Sequence, residues 1–471
     1  MRQLYAMALT LGALGGAPAS ALPLAPGVLA AAPAAAPTAE INVPIEYYRL
    51  PNGLRVVLSQ DASAPTTTIA VYYHIGFRIE PRDRTGFAHL FEHLMFQEST
   101  NLAKGEADKL VAGNGGVANG STRFDYTNYF QVVPSNVTEP VLWVEADRMR
   151  GLVLSESSLQ NQKDVVKNEV RVNVINRPYG AFPWLDLPQH ANTNWYNAHN
   201  FYGALEDIDA ATLKDVRAFY DTYYVPANAV LVVAGDFDRT QVRAWVERYF
   251  GGLPTRPEPT RPDVSEPPQK KERFASRTDP LAPRPALAFG YHLPPRNTPE
   301  WYAFGLIDQI LLQGEDSRLW RRLVQERGYT DGVEGGLNLI GNMFDYEGPM
   351  LWAASLVHDP GASDEKIMAD VDDVIGRLQK DLVGPAELER AITKIRSSLY
   401  DVAGSSTRFG LVDVLACFAL FDDDPAKINR LESEFRKVTP QLLRATARKY
   451  LVPANRTRVA LLAGHAAGEK P

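Results

Sequence analysis

A repeated segment constrains the fold of this chain more than any other feature of its sequence. Residues 217–228 read RAFYDTYYVPAN and are echoed by residues 444–455, RATARKYLVPAN, at a constant offset of 227 residues. Each copy continues into an apolar run typical of a β-strand, at 229–234 and at 459–463. A duplicated module explains this pattern, so we predict two homologous halves.

The stretch between the two copies sets the predicted boundaries. Residues 253–285 are dense in Pro, Arg, Lys and Glu and show neither helical nor strand periodicity, which is typical of a linker. We therefore predict a first half over 41–252 and a second half over 286–466. A chain of 471 residues is too long for one ordinary core, and a 45% hydrophobic fraction is that of a folded globular protein.

Strand-like and helix-like segments interleave in the first half. Residues 54–58 and 67–73 are rich in β-forming residues, 126–133 alternate like a strand, and 87–96 form an apolar helical segment. The runs at 67–73 and 126–133 look half-exposed by their alternation, which favours antiparallel pairing over a parallel sheet buried on both faces. We predict an α+β fold in which each half is a largely antiparallel sheet packed with helices.

The segment His89-Leu90-Phe91-Glu92-His93 places two imidazoles and a carboxylate on one face of a helical turn, because positions three and four apart are neighbours. Two imidazoles and a carboxylate from elsewhere in the chain would leave the fourth position of a zinc ion to water, as in catalytic zinc sites. The metal would lower the pKa of that water, and Glu92 would accept its proton. This chemistry predicts hydrolysis of a peptide bond. On these five residues alone, an ordinary helix with two surface histidines is an equal alternative.

A second helical segment can supply the missing carboxylate. Residues 159–174 have apolar residues at helical spacing and include Glu169. The second half has a counterpart of the histidine segment at 304–313. The residues there that correspond to His89, Glu92 and His93 are Gly305, Asp308 and Gln309. We therefore expect only the first half to hold a metal ion.

The N-terminus has the pattern of an export signal. Met1-Arg2-Gln3 is followed by an apolar run over 4–14 and by Ala19-Ser20-Ala21, a small-residue cleavage site. We interpret 1–21 as a removed signal peptide, because the run is short for a bilayer span, with an uncleaved anchor as the alternative. The Ala- and Pro-rich stretch at 22–40 is interpreted as a flexible lead-in. A periplasmic or secreted protein is expected, without an integral membrane segment once the signal is removed.

Composition and motifs argue against several other classes of protein. The net charge of -7 disfavours a nucleic-acid partner. Cys417 is the only cysteine, so no internal disulfide can form, and its apolar surroundings in the sequence indicate a buried, inert thiol. A serine hydrolase is disfavoured because the chain has no Gly-x-Ser-x-Gly elbow. A metal-storage module is disfavoured because the remaining histidines show no ligand spacing.

Five further segments match the pattern of a known family: HIGFRIEP at 74–81, GFAH at 86–89, NGST at 119–122, GALEDI at 203–208 and YVPAN at 224–228. Together with the HLFEH motif, they make the chain resemble the pitrilysin, insulysin and mitochondrial-processing-peptidase family of inverted zinc peptidases. The resemblance covers residues 45–465. It implies a zinc-dependent endopeptidase that hydrolyses unstructured peptides inside a closed, clam-shaped chamber.

The resemblance also implies roles for particular residues. The ligands of one zinc ion per chain would be His89, His93 and Glu169, with Glu92 as the general base. The family's other helical acid falls on Gln162, whose neutral amide can still orient a ligand. A peptide substrate would add as an edge strand along 116–122. The implied substrate-binding residues are Asn119, Gly120, Ser121 and Thr122, with a turn-forming Asn-Gly pair as the alternative.

One departure from the family pattern concerns a second subunit. Many relatives present an Arg and a Tyr, seven residues apart, from the second half to the substrate carbonyl. These positions are Val324 and Asp331 here, whereas a two-residue slip of the alignment would offer Arg322 and Tyr329. We adopt the unslipped alignment and expect a homologous partner subunit to supply the pair in a heterodimer, with a homodimer as the alternative. A non-catalytic scaffold or assembly subunit of the same fold is the alternative function.

Overall fold

The computed structural model describes residues 41–464. The predicted signal peptide and lead-in lie outside these residues. Within them the strands are β1 (Glu46–Arg49), β2 (Arg55–Gln60), β3 (Thr66–Tyr73), β4 (Val117–Thr122), β5 (Thr127–Pro134), β6 (Ala229–Gly235), β7 (Arg273–Asp279), β8 (Ala286–His292), β9 (Glu334–Leu337), β10 (Leu351–Val357) and β11 (Arg456–Ala463).

The α-helices of the described residues are α1 (Phe87–Leu94), α2 (Glu106–Gly113), α3 (Thr138–Arg150), α4 (Glu156–Val170), α5 (Asp186–Ala191), α6 (Trp195–Ala198), α7 (Leu205–Ala210), α8 (Leu213–Tyr223), α9 (Arg239–Phe250), α10 (Pro299–Leu311), α11 (Arg318–Trp320), α12 (Asp364–Lys380), α13 (Pro385–Gly404), α14 (Phe409–Phe421), α15 (Leu431–Arg436) and α16 (Pro440–Tyr450). Helices α4 and α11 continue as π-helical turns, at Arg171–Ile175 and Arg321–Glu326.

The strands form two sheets with one shared topology. The first sheet has the order β1-β2-β6-β3-β5-β4, and the second has the order β7-β11-β8-β10-β9. One neighbouring pair in each sheet is parallel, β2 with β6 and β7 with β11, and all other pairs are antiparallel. The predicted α+β fold with two largely antiparallel sheets is therefore confirmed. Strands β2 to β6 correspond one by one to β7 to β11, as expected for a duplicated module.

Each half also covers a face of the other half's sheet. Helix α14 of the second half packs on β2, β3 and β6, and helix α5 of the first half packs on β7, β8 and β11. For this reason β3 is not half-exposed, as its alternation suggested, but buried from Thr67 to Tyr73. The remaining face of the first sheet packs against α1, α3, α8 and α9 in a core of its own.

The predicted linker is interrupted by a strand. Residues Arg273–Asp279 form β7, the edge strand that pairs in parallel with β11. Exposed and half-buried side chains alternate along most of β7, and most of its residues are polar, so an apolar run was absent from the sequence. The second sheet therefore begins inside 253–285.

Cys417 lies buried in α14 as a free thiol, as its sequence context indicated. No single helix among residues 41–464 is long and apolar enough to cross a membrane, although α13 and α14 reach that length and composition as a bent pair.

Candidate metal centre

Helix α1 carries both histidines of the motif and is held at its N-terminus by a carboxylate from the preceding segment. Its first flanking residue, Gly86, has a φ of 80° and offers no side-chain cap. Glu80 takes that role, because its Oε2 accepts the Gly86 N–H at 2.8 Å and its Oε1 accepts the Ala88 N–H at 2.6 Å. An anion is favourable at a helix N-terminus, where backbone N–H groups lack partners inside the helix. The carboxylate of Glu80 thus fixes the start of a helix only eight residues long.

Helix α4 presents the third candidate ligand. Ser155 begins the helix with a capping box, and the buried residues Leu159, Val166 and Val170 pack one face into the protein. Glu169 lies on the flank of that face, and α4 packs directly against α1. Gln162, two turns before Glu169, is buried in the same helix.

The three predicted ligands converge on one point. His89 Nε2 lies 3.3 Å from His93 Nε2, and Glu169 Oε2 lies 3.3 Å from His93 Nε2 and 3.6 Å from His89 Nε2. Two ligands placed about 2.0–2.1 Å from a tetrahedral zinc ion are about 3.3–3.4 Å apart, so these separations suit the metal. Among residues 41–464, this trio is the group of ligand side chains close enough to share an ion.

The surroundings favour the protonation states in which these groups bind metals. Burial lowers the pKa of His89 to about 4, so its imidazole is neutral at physiological pH. Although burial opposes the charge on Glu169, a hydrogen bond from His93 and the nearby His89 hold the pKa of Glu169 below its ordinary value. Neutral imidazoles and an ionised carboxylate are the ligand forms that zinc requires.

Glu92 lies beside the trio and points to the edge of the first sheet. Its Oε2 accepts a hydrogen bond from Thr122 Oγ1 at 2.7 Å. Burial raises the pKa of Glu92 above its usual value, which moves the carboxylate towards the range of an effective general base. This hydrogen bond joins α1 to the end of β4.

The predicted substrate-binding residues all lie on β4, the edge strand of the first sheet. Asn119 is exposed, Gly120 is packed closely, and the Ser121 hydroxyl donates to Asn128 Oδ1 at 2.6 Å. Because Asn119 and Gly120 both pair with β5 inside the strand, the alternative of an Asn-Gly turn is wrong. Among residues 41–464, β4 pairs with β5 on one side and has no strand on its other edge.

Within the described part of the second half, the corresponding region has no such convergence. Asp308, the counterpart of Glu92, is buried in α10 and accepts hydrogen bonds from Trp352 Nε1 at 2.7 Å and from Gln313 Nε2 at 3.3 Å. Burial raises the pKa of Asp308 to about 7. A buried carboxyl without imidazoles at the neighbouring positions is a structural group.

The positions of the family's Arg and Tyr pair are also accounted for. Val324 packs against the core, and Asp331 is exposed, with Arg284 at 3.3 Å. In the slipped alignment, Arg322 Nε donates to Asp370 at 2.7 Å and the Tyr329 hydroxyl donates to the same carboxylate at 3.0 Å. Arg322 and Tyr329 thus both hydrogen-bond the same carboxylate, Asp370 of α12.

Sequence reasoning missed two residues that contact the trio or its helix. Glu80 caps α1, and the Tyr202 hydroxyl donates to Glu169 Oε1 at 3.3 Å. The signal available was position, because Glu80 falls in the HIGFRIEP segment and Tyr202 directly precedes GALEDI. Nothing in that position identifies which atoms they touch.

The fold and the trio define a class of proteins with two similar halves and one candidate metal site. Comparison with known families identifies the family to which this chain belongs. The model described as "Insulinase (Peptidase family M16)" matches residues 55–179, and "Peptidase M16 inactive domain" matches 210–395. The chain belongs to the M16 peptidase family.

Individual relatives agree with this assignment. The chain is 28% identical over 426 residues to the zinc protease PqqE of Helicobacter pylori, covering 88% of this chain and 92% of that protein. The crystal structure of a protease from Helicobacter pylori aligns with a TM-score of 0.81 at 26% identity, over 89% of this chain and 99% of the other. The periplasmic protease PqqL of Escherichia coli shares the fold, with a TM-score of 0.73 at 17% identity, over 90% of this chain and 48% of that one.

Proposed function

We propose that this protein is a zinc-dependent endopeptidase, with His89, His93 and Glu169 as the ligands of one zinc ion and Glu92 as the general base. The convergence of the three donor atoms beside Glu92 carries the proposal. Zinc bound there would supply an activated water and polarise the scissile carbonyl. Relatives named as zinc proteases support the assignment of the metal.

The proton chemistry follows from the position of Glu92. The Thr122 hydroxyl donates a hydrogen bond to Oε2 of Glu92. The other oxygen, Oε1, would accept the proton from water. With its pKa raised by burial, Glu92 then gives the proton to the leaving amine. No covalent bond between protein and substrate is needed.

Substrate binding is proposed to occur along β4. An extended peptide that pairs with the free edge of β4 would pass Thr122, which touches Glu92. Backbone pairing contributes affinity with little dependence on side chains, which suits the turnover of varied unstructured peptides. Asn119, Gly120, Ser121 and Thr122 would line this added strand.

Replacing Glu92 by Gln tests the proposal. The variant should retain one zinc per chain, because its ligands are unchanged, and should lose about 10²–10⁴-fold in kcat on an unstructured peptide. Zinc content is measured by atomic absorption and turnover with a fluorogenic peptide. Asp308→Asn makes the equivalent change in the second half and should leave kcat unaltered.

Three outcomes would count against the proposal. Loss of zinc from the Glu92→Gln protein would make Glu92 a ligand, and full activity in zinc-free protein would remove the metal from the reaction. Purified wild-type chain that holds no zinc and cleaves nothing would favour the scaffold alternative.

We further propose that a homologous partner subunit completes the active site. Val324 and Asp331 cannot supply the family's Arg and Tyr, and Asp370 engages Arg322 and Tyr329. The PqqL chain is about twice as long as its aligned part, which leaves room for a second unit of this kind. The chain purified alone should therefore be slow, by about 10²–10³-fold relative to the complex with its partner. Full activity of a homodimer alone would exclude the heterodimer.

Export is part of the proposal. The pattern over residues 1–21 supports a cleaved signal, and the fold neighbour PqqL is a periplasmic protease. N-terminal sequencing of protein recovered from the periplasm should begin at or near Leu22. A mature N-terminus at Met1 would favour the uncleaved anchor.

A further inference from the structure

A segment far from α1 in the sequence packs against the start of that helix. We call residues 199–207 the brace. The His199 ring bonds the Phe77 carbonyl at 2.6 Å, and the Ala204 N–H donates to Thr85 Oγ1 at 2.8 Å. A Cβ atom added to Gly203 would stand 2.3 Å from the Gly86 nitrogen, so only glycine allows this approach. The brace therefore has a fixed position relative to α1.

Tyr202, within the brace, contacts two of the three candidate ligands. Its hydroxyl donates to Glu169 Oε1 at 3.3 Å, whereas Glu169 Oε2 is the oxygen that faces the imidazoles. Its ring centroid lies 5.1 Å from that of His89, with the planes at 76°. One buried side chain thus touches a ligand from α1 and a ligand from α4.

The His89 ring depends on such packing for its orientation. A metal-binding histidine usually donates its second ring N–H to a carboxylate, a carbonyl or water, which fixes the ring. In the described residues, buried His89 Nδ1 has no hydrogen-bond partner from the protein. The rings of Phe201 and Tyr202 lie 5.2 Å and 5.1 Å from the imidazole instead.

Tyr202 is itself packed in an apolar cluster of the first half that adjoins α5. It belongs to an apolar cluster with Val170 and Leu185, and the Trp184 ring lies 5.9 Å away. Trp184 and Leu185 lead directly into α5, whose buried Leu187 packs against the second sheet. The cluster around Tyr202 is therefore connected through α5 to the second sheet.

We propose that Tyr202 is a positioning residue of the zinc site: its hydroxyl orients the Glu169 carboxylate and its ring orients His89. The inference rests on the proposed zinc function and adds a residue that neither the motif nor the duplicated module identified. A zinc site with a loosened Glu169 and His89 binds the ion less tightly. Outer residues of this kind change metal affinity by about 10–100-fold.

The test measures zinc affinity in Tyr202→Phe, which keeps the ring and removes the hydroxyl. We expect the Kd for zinc, measured by competition with a chromophoric chelator, to rise about tenfold, at the low end of that range because a 3.3 Å bond is long. The visible spectrum of the cobalt-substituted protein should change, since cobalt absorption reports ligand geometry. Tyr202→Ala also removes the ring and should weaken zinc binding further.

A matched control is available in helix α9 of the first half. Tyr249 also donates its hydroxyl to a carboxylate, Glu139, at 2.6 Å. Tyr249→Phe should leave the zinc Kd and the cobalt spectrum unchanged. The melting temperature of the metal-free protein is recorded for every variant.

The outcomes separate this inference from the proposed function. Wild-type protein that binds no zinc would refute the function. A wild-type protein that binds zinc, with Tyr202→Phe equal to it in Kd and cobalt spectrum, would refute only the role of Tyr202. A weaker Kd accompanied by an unchanged cobalt spectrum and a lower metal-free melting temperature would also refute it, because the residue would then act on folding in general.

Discussion

The two halves share their architecture and differ in their chemistry. Both have the same order of five strands. In the first half the helix after β3, α1, packs on α4, and in the second half the helix after β8, α10, packs on α13. In the first half this pair brings two imidazoles and a carboxylate together. In the second half the same place holds Asp308, bonded to Trp352. The comparison shows that duplication preserved the scaffold while three ligand positions decide whether a half can hold a metal.

The second half, which lacks the histidine pair, still has a structural role in the first half. Helix α14 covers a face of the first sheet, and α5 covers a face of the second. Trp184, which leads into α5, contacts Tyr202 of the brace, and this contact connects the packing of α5 on the second sheet to the candidate zinc site. The two halves are therefore separate as sequence modules and interdependent in packing.

Separating the halves should have the largest effect. Residues 41–252, the first half that we propose, should not fold alone, because without α14 they expose a face formed by Val57, Ala70, Tyr72, Val230, Val232 and Ala234. Burial of one large apolar side chain contributes about 1.5–3 kcal/mol, and a domain is stable by only about 5–15 kcal/mol in total. Circular dichroism during urea titration should show no cooperative transition.

A split chain provides the control for that experiment. Two fragments divided between Lys270 and Lys271, both exposed, and produced together should associate and bind zinc, since no element is cut there. A monomeric first half with a cooperative transition would show that the first sheet does not need α14 to cover it.

A smaller effect is expected from the buried acid of the second half. Because burial raises the pKa of Asp308 to about 7, the folded protein keeps a proton that the unfolded chain has lost above about pH 4. The contribution of Asp308 to stability therefore falls as pH rises from about 4 to 7. At pH 8, Asp308→Asn should be more stable than the wild type by about 1–3 kcal/mol, below the roughly 4 kcal/mol that the full pKa difference would imply.

Urea unfolding at pH 5 and pH 8 measures this difference. The gain should shrink at pH 5, where the wild-type carboxyl is protonated in the folded state. Asp331→Asn, at an exposed position of the same half, should show no such pH dependence. Equal stability of Asp308→Asn and wild type at both pH values would mean that Asp308 is not held as a neutral acid.

Local patterns predicted much of this protein. The repeat at 217–228 predicted the duplicated topology, and the spacing of His89, Glu92 and His93 put these side chains on one helical face. The strand β7 escaped prediction because an edge strand with polar, partly exposed residues has no apolar run. The full burial of β3 escaped for a different reason, since the covering helix α14 lies more than 330 residues later in the chain.

The amino-acid sequence alone was enough to predict the duplication, the type of sheet and the histidine-bearing helix. The duplication follows from the repeat at an offset of 227 residues, and the sheet and the helix follow from periodicities of two and 3.6 residues among neighbouring positions. The three-dimensional packing was needed to show that Glu169 lies against His89 and His93, that Thr122 bonds Glu92, and that Tyr202 contacts two of the candidate ligands. These contacts join elements far apart in the chain. Their geometry is set by the packing of α1, α4, β4 and the brace, for which no local spacing exists.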